Sequence, residues 1–385
     1  MDAGKSTISG VFNGSRLLEI PFYQRAYVWG EEQWERFLGD MEFVTASKRP
    51  YFLGSIILKQ ESSGYTWSEV SEVRTVIDGQ QRLTTMVIFF KALCAKIDAN
   101  RLFERDFVLE TGEVALRHGK YDRQDFEKVV NATGSEPVEG SSAIIGAYNY
   151  FLKNIDPEKV DRNTIKSNVQ FVCIDLTEGE DEQQIFDTIN SLGVRLTTAE
   201  LLKNYFFNRE NEQAFKDSWE DVFEPTAEKK SFWDQEVVTG RIKRTLIDLF
   251  FDAFLQIMVQ DKARCVTAED KLYYSRTSNL FQSYKDFISR YCDGGKDEVL
   301  NAMNAYAAVF ESTFDPTCCD RNVPPAPSTE RMNVLIFGLK NSTLIPYVLY
   351  VRKSVESPDE QAKVFATLES YIVRRMLVRA TTKNY

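Results

Sequence analysis

Asp78-Gly79-Gln80-Gln81-Arg82 carries the densest set of phosphate-handling groups in this chain. It stands between a strand-like run, 70–77, and a long apolar helical run, 83–97. Gly79 lets the backbone turn sharply with no Cβ to clash. A helix starting near Leu83 points its free N–H groups back at that turn, where an anion is favoured. Arg82 adds a planar, permanently charged fork suited to phosphate oxygens. Gln80 and Gln81 supply neutral donors and acceptors. Asp78 suits a hydrated Mg²⁺, which takes a carboxylate together with phosphate oxygens. Together these groups would hold a nucleoside triphosphate. A capped helix accounts for the same residues, with Asp78 as the cap and the glutamines solvated. Local chemistry does not separate the two accounts.

Residues 20–34, IPFYQRAYVWGEEQW, place Tyr23, Gln24 and Arg25 side by side and add Tyr27 and Trp29. Aromatic rings interleaved with arginine suit bases and nucleic-acid backbones. From the residues alone, a core-edge segment, with Trp29 and Trp34 packed and Arg25 paired with a carboxylate, is the favoured account. Residues 184–207 read as helix, turn, helix. Asn190 and Gly193 form the stop, and Thr197 or Thr198 starts the next helix with Glu200 in its first turn. Arg195, Lys203 and Asn204 are its polar residues best placed to reach a ligand, but a packing unit that joins domains is the favoured account over DNA recognition. His118 lies in a polar stretch and is expected to be exposed and inert. Gly4-Lys5-Ser6-Thr7 mimics the end of a P-loop, but no strand or glycine precedes it.

These segments need a scaffold, and the chain has material for two domains: 385 residues, 43% of them hydrophobic. Up to about residue 200, strand patterns (51–58, 70–77, 169–176) mix with helical ones (31–44, 83–97). Beyond it, long helical patterns dominate at 199–208, 241–260, 273–291, 297–310 and 358–379, with a proline-rich connector at 315–328. The expectation is an α+β protein, with a mixed domain over 1–200 and an all-helical domain over 201–385. The six cysteines are scattered except for Cys318-Cys319, and vicinal cysteines make poor structural bridges. With one histidine, a Cys/His zinc site is not expected. No segment reads as a signal peptide or membrane span, so a cytoplasmic setting is expected. A net charge of −10 excludes binding nucleic acid by bulk charge and leaves only a local basic surface.

Four pieces occur in order: Ile20-Pro21-x-Tyr23-Gln24-Arg25-x-Tyr27-x-Trp29; Phe52-Leu53-Gly54-Ser55-Ile56; Ile77-Asp78-Gly79-Gln80-Gln81-Arg82-Leu83-Thr84-Thr85; and Phe186-x-x-Ile189-Asn190 with Leu196-Thr197 and Glu200-Leu201-Leu202-Lys203-Asn204. The ordered set resembles the N-terminal domain of GmrSD-type, modification-dependent restriction enzymes. That resemblance implies a ParB/sulfiredoxin-like core that binds and hydrolyses GTP or ATP with Mg²⁺. It implies catalytic roles for Asp78, Gln80, Gln81 and Arg82, nucleotide contacts from Gly79, Arg82, Thr84, Asn190 and Lys203, and the metal on Asp78. In a phosphorothioate-sensing branch the Tyr-Gln-Arg segment senses modified DNA, which maps here onto Tyr23, Gln24 and Arg25. Implied partners are modified double-stranded DNA, a nuclease domain or subunit, and a second copy of the chain. Such enzymes usually continue into a histidine-dependent HNH nuclease domain. With only His118 present, that domain is expected to be absent, either trimmed away or supplied by a separate subunit.

Overall fold

The computed structural model of the protein describes residues 2–60, 72–177, 197–207, 211–239, 242–276 and 280–378. The chain divides into two compact units, Met1–Arg195 and Leu196–Tyr385. The first is mixed and the second mostly helical, so the protein is of the α+β class.

In the first unit six strands form one sheet in the order β1-β6-β3-β4-β2-β5. They are β1 (Asp2–Thr7), β2 (Arg16–Glu19), β3 (Tyr51–Gln60), β4 (Glu72–Asp78), β5 (Leu116–Arg117) and β6 (Val169–Leu176). The short apolar run before Pro21 thus becomes a strand, and Gly4-Lys5-Ser6-Thr7 lies in edge strand β1. β4, β2 and β5 are parallel neighbours, with Glu19 opposite Thr75 and also opposite Arg117. β3 runs antiparallel to β4, and the register shifts just before Asp78. A second shift interrupts β3 between Phe52 and Gly54. Such bulges re-aim the chain where a site is built.

The helices of this unit are α1 (Ile8–Val11), α2 (Glu31–Ser47), α3 (Gln80–Lys96), α4 (Asn100–Phe107), α5 (Arg123–Val130), α6 (Ala143–Asn154) and α7 (Arg162–Asn168). Beyond its first turn α3 is buried on nearly every side, and it packs against α4, α5 and α6. Phe89 on α3 meets Phe37 of α2 and Phe151 of α6 edge-on or nearly so. α3 begins at Gln80, three residues before the first apolar position. Gln80, Gln81 and Arg82 therefore sit in its first turn, not in the loop ahead of it.

In the second unit, Thr197 caps the helix Thr198–Phe206 and Glu200 closes a reciprocal capping box. A hairpin, β7 (Glu236–Thr239) with β8 (Ile242–Thr245), interrupts the helices and shortens the expected 241–260 helix to Leu246–Gln260. The pattern at 273–291 resolves into Ala268–Tyr274 and Leu280–Tyr291. The last helix spans Pro358–Leu377. Among the described residues, no helix is long and apolar enough to cross a membrane.

Candidate functional site

Three parallel strands end side by side, so the segments that follow them emerge at one edge of the sheet. The loop 20–30 follows β2, the Gly79 turn follows β4, and His118 follows β5. The carboxyl ends of parallel strands are where open α/β sheets usually place ligands. Here that edge brings two separately read segments, 20–30 and 78–85, into one structure.

Gln80 donates from its side-chain amide to the Arg25 carbonyl at 2.8 Å. Gln81 donates to the Ala26 carbonyl at 3.2 Å and accepts from the Val28 N–H at 2.9 Å. Gln24 returns the contact, donating to the Val76 carbonyl at 2.6 Å and the Ile77 carbonyl at 3.3 Å. Four residues later a buried hydroxyl chain continues the lock. Trp34 Nε1–H donates to the Tyr27 hydroxyl at 2.9 Å, which lies 2.7 Å from Thr85 Oγ1. Thr85 gives its own proton to the Gln81 carbonyl at 2.7 Å, so Tyr27 must be the donor to Thr85. Burial holds the Tyr27 phenol well above its usual range, which keeps that donor protonated.

Asp78 does not cap α3. The cap position is Gly79, in the left-handed region at φ +100°, and no side chain bonds into the first turn from there. Asp78 pairs instead with Arg82, Oδ2 to Nη2 at 2.9 Å, and the same Nη2 donates to the Ser55 carbonyl at 2.6 Å. Among the described residues, Arg82 Nε is buried with no hydrogen-bond partner. Gly54, at φ +131°, makes room for the guanidinium: a Cβ there would lie 3.1 Å from Arg82 Nη1. The pair retains some solvent access, with side chains 32% exposed for Asp78 and 23% for Arg82, so a ligand can reach it. Among the described residues no three His, Cys, Asp or Glu side chains gather around one point. A divalent ion at Asp78 would need phosphate oxygens and water for most of its shell.

Tyr23 is buried, its ring edge-on to Phe22 at 5.2 Å, and Arg25 is half-buried. Thr84 is fully buried, its hydroxyl 3.1 Å from His118 Nε2. Lys203 lies in the second unit, buried against Glu224 at 2.9 Å. Asn190 and Arg195 lie outside the described residues. Sequence reasoning missed Ser55, Asp122 and the part played by His118. Asp122 Oδ2 accepts from the Tyr27 N–H at 2.7 Å across 95 positions of sequence, and no local pattern signals such a bond.

His118, expected at the surface, is buried, because β5 carries it under α3 beside Phe126. Its Nδ1 lies 3.7 Å from Asp122, too far for a hydrogen bond. Burial lowers its pKa, opposed by Asp122. A base with a depressed folded pKa contributes stability that is present above its unfolded value, near 6.5, and is lost as pH falls from there through the folded value. We expect the first unit to lose at most about 1.4 kcal/mol per pH unit from this group in that window. Because the chain has one histidine, the imidazole ¹⁵N shifts are read without assignment. A ring found fully protonated at pH 6.5 would contradict its burial.

No individually curated protein matches the chain. A family model, described as the GmrSD restriction endonuclease N-terminal domain, matches residues 8–207. The match takes in loop 20–30, both bulged strands, the Asp78–Arg82 turn and the capped helix at Thr198, more than half of the 385 residues. On that match the chain belongs to the GmrSD restriction endonuclease N-terminal domain family and is a restriction-system protein.

Proposed function

We propose that this chain is the nucleotide-handling, DNA-sensing regulatory part of a type IV-like restriction system, acting in cytoplasmic phage defence on modified DNA. One observation carries the reading. Arg82 stands in the first turn of the buried helix α3, its Nε buried and without a hydrogen-bond partner among the described residues, beside a glycine cap that itself offers no side chain to the first-turn N–H groups. The ParB/sulfiredoxin-like core, a homodimer and a nuclease domain or subunit belong to the same reading.

Asp78 would hold Mg²⁺, and Arg82 with the first-turn N–H groups would hold phosphate oxygens of GTP or ATP. The metal, when bound, supplies neutralising charge to the triphosphate. Gln80 and Gln81 orient the site by clamping loop 20–30, so nucleotide occupancy and loop position are linked through the same helix turn. Arg25 then offers its guanidinium to a DNA phosphate, while Gln24 fixes the loop to β4.

A second reading is a DNA-binding or scaffold module that hydrolyses nothing and partners a separate nuclease. It is favoured by the fact that both motif glutamines spend their amides on backbone carbonyls. Calorimetry with GTP and ATP in Mg²⁺ separates the two. Arg82→Ala should weaken nucleotide binding about ten- to a hundredfold, the worth of a charged hydrogen bond, and Arg82→Lys should recover part of it. Wild-type protein that binds neither nucleotide supports the second reading. Arg82→Ala binding and hydrolysing at the wild-type rate removes Arg82 from the site.

A further inference from the structure

Cys318 and Cys319 lie in a short 3₁₀ turn, Cys318–Asp320, within the proline-rich connector of the second unit. Both thiols are free, and their sulfurs are 3.8 Å apart. Cys318 is buried and Cys319 is exposed. Cys318 lines a cavity of about 570 Å³ with Phe232, Asp315, Arg321, Asn333 and Arg352. The turn is held from within: the Cys318 N–H donates to the Asp315 carbonyl at 3.2 Å, and the Asp320 N–H to the Thr317 carbonyl at 3.0 Å. Arg321 pairs with Asp315 across it.

We infer that Cys318-Cys319 is a peroxide-modifiable dithiol, closing to a vicinal disulfide that reshapes this wall of the cavity. The exposed Cys319 meets the oxidant first. Burial, with the neighbouring sulfur second, pushes the Cys318 thiol up to about 12, so Cys318 is the poorer first nucleophile. The Cys319 sulfur attacks a hydroperoxide oxygen, the O–O bond breaks, and the leaving alkoxide takes the thiol proton. The Cys318 sulfur then attacks the Cys319 sulfenyl sulfur. The S–S bond forms, the S–O bond breaks, and hydroxide leaves as water with the Cys318 proton. Two thiols and one hydroperoxide give one disulfide, one alcohol and one water.

The same geometry makes the bond a switch instead of a staple. Adjacent Cα atoms are about 3.8 Å apart, below the usual span of a disulfide, so the bridge is strained and easily reduced. The sulfurs must also close from 3.8 Å to about 2.05 Å, which turns the Cys318–Cys319 peptide inside the bonds that hold the connector.

The test is peptide mass spectrometry of the full chain after one equivalent of hydrogen peroxide, followed by hydrogen exchange. The peptide carrying both cysteines should lose two hydrogens, recover them with dithiothreitol, and leave two fewer titratable thiols in the denatured protein. Residues 315–323 should lose exchange protection on oxidation. Cys265→Ser should change nothing, while Cys318→Ser should halt at a sulfenic acid on Cys319. Oxidation to sulfinic acid with no loss of two hydrogens, or consumption of Cys265 in place of the pair, overturns the inference. So does unchanged exchange over 315–323. The wild-type peptide mass decides even where Cys318→Ser fails to fold.

Discussion

Gly79→Ala is expected to cost the first unit about 2–5 kcal/mol, summing two separate penalties. The first is conformational. Gly79 sits at φ +100°, where a side chain costs about 1–2 kcal/mol. The second is steric. A Cβ on Gly79 would lie 2.5 Å from Ile56 Cγ2 and 3.3 Å from the Ile56 Cα, and the adjoining pair Ile57–Asp78 fixes that approach. Overpacking of this kind costs about 1–3 kcal/mol, and the nearby backbone cannot give way as a flexible side chain would. Gly112→Ala is the control, since Gly112 has φ +84° and open space around its Cβ position. It should pay the conformational penalty alone. Native-state hydrogen exchange of the α3 amides reads the loss locally, which suits a chain of two units. Equal losses at Gly79 and Gly112 would mean that Ile56 does not press on the turn. The predicted loss is a large part of the 5–15 kcal/mol that holds an ordinary domain together. The same glycine sets where the first turn of α3 points, so on the proposed reading nucleotide affinity should fall with stability.

Why the turn was visible in the sequence, and its wiring was not, has a physical answer. Strands β3 (Tyr51–Gln60) and β4 (Glu72–Asp78) and the helix after Gly30 carry their own periodicity, and Thr197 with Glu200 three positions on spells a capping box. The start of α3 carries no such mark. Its cap is a left-handed glycine without a capping side chain, and its first residues are glutamines, so the apolar pattern alone starts the helix at Leu83. The glutamines read as solvated for the same reason: their partners are backbone groups of Arg25, Ala26 and Val28, some 55 positions away. His118 reads as exposed because Arg117, Gly119 and Lys120 surround it, while the strand that buries it has only two residues. The parallel pairing of β4, β2 and β5 is the fact that joins these pieces, and pairing between strands leaves no trace in any one of them.

Glu224→Ala should destabilise the second unit by about 3–5 kcal/mol, and more than Lys203→Met does. Glu224 holds Lys203 at 2.9 Å and accepts from the Trp219 indole N–H at 3.0 Å, with side chains only 8% exposed for Lys203 and 13% for Glu224. Removing the carboxylate leaves a buried ammonium facing Phe215 and Trp219 rings at 5.9 and 5.4 Å, together with an indole donor that has lost this acceptor. Removing the ammonium is milder. Glu224 keeps Trp219, and keeps Lys230 at 3.9 Å, and methionine fills the space over the same rings. Burial pushes the Glu224 carboxyl up, but Lys203, Lys230 and Trp219 together outweigh it and hold the group below its usual value. A depressed carboxylate contributes stability that is present above its unfolded pKa, near 4.3, and is lost as pH falls through the folded value. The gap between wild type and Glu224→Ala should therefore be fully open above about pH 4.3 and narrow as pH falls from there through the folded value. Chemical unfolding of the full chain across that range checks both order and sign. The result bears on function as well, because Lys203 sits in a segment that the family resemblance assigns to nucleotide. If Lys203→Met lost nucleotide binding while matching wild type in stability, its ion pair with Glu224 would be incidental and the phosphate role would stand. If it lost stability and kept its nucleotide affinity, the lysine would belong to the helical core, and the proposed site at Arg82 would stand without it.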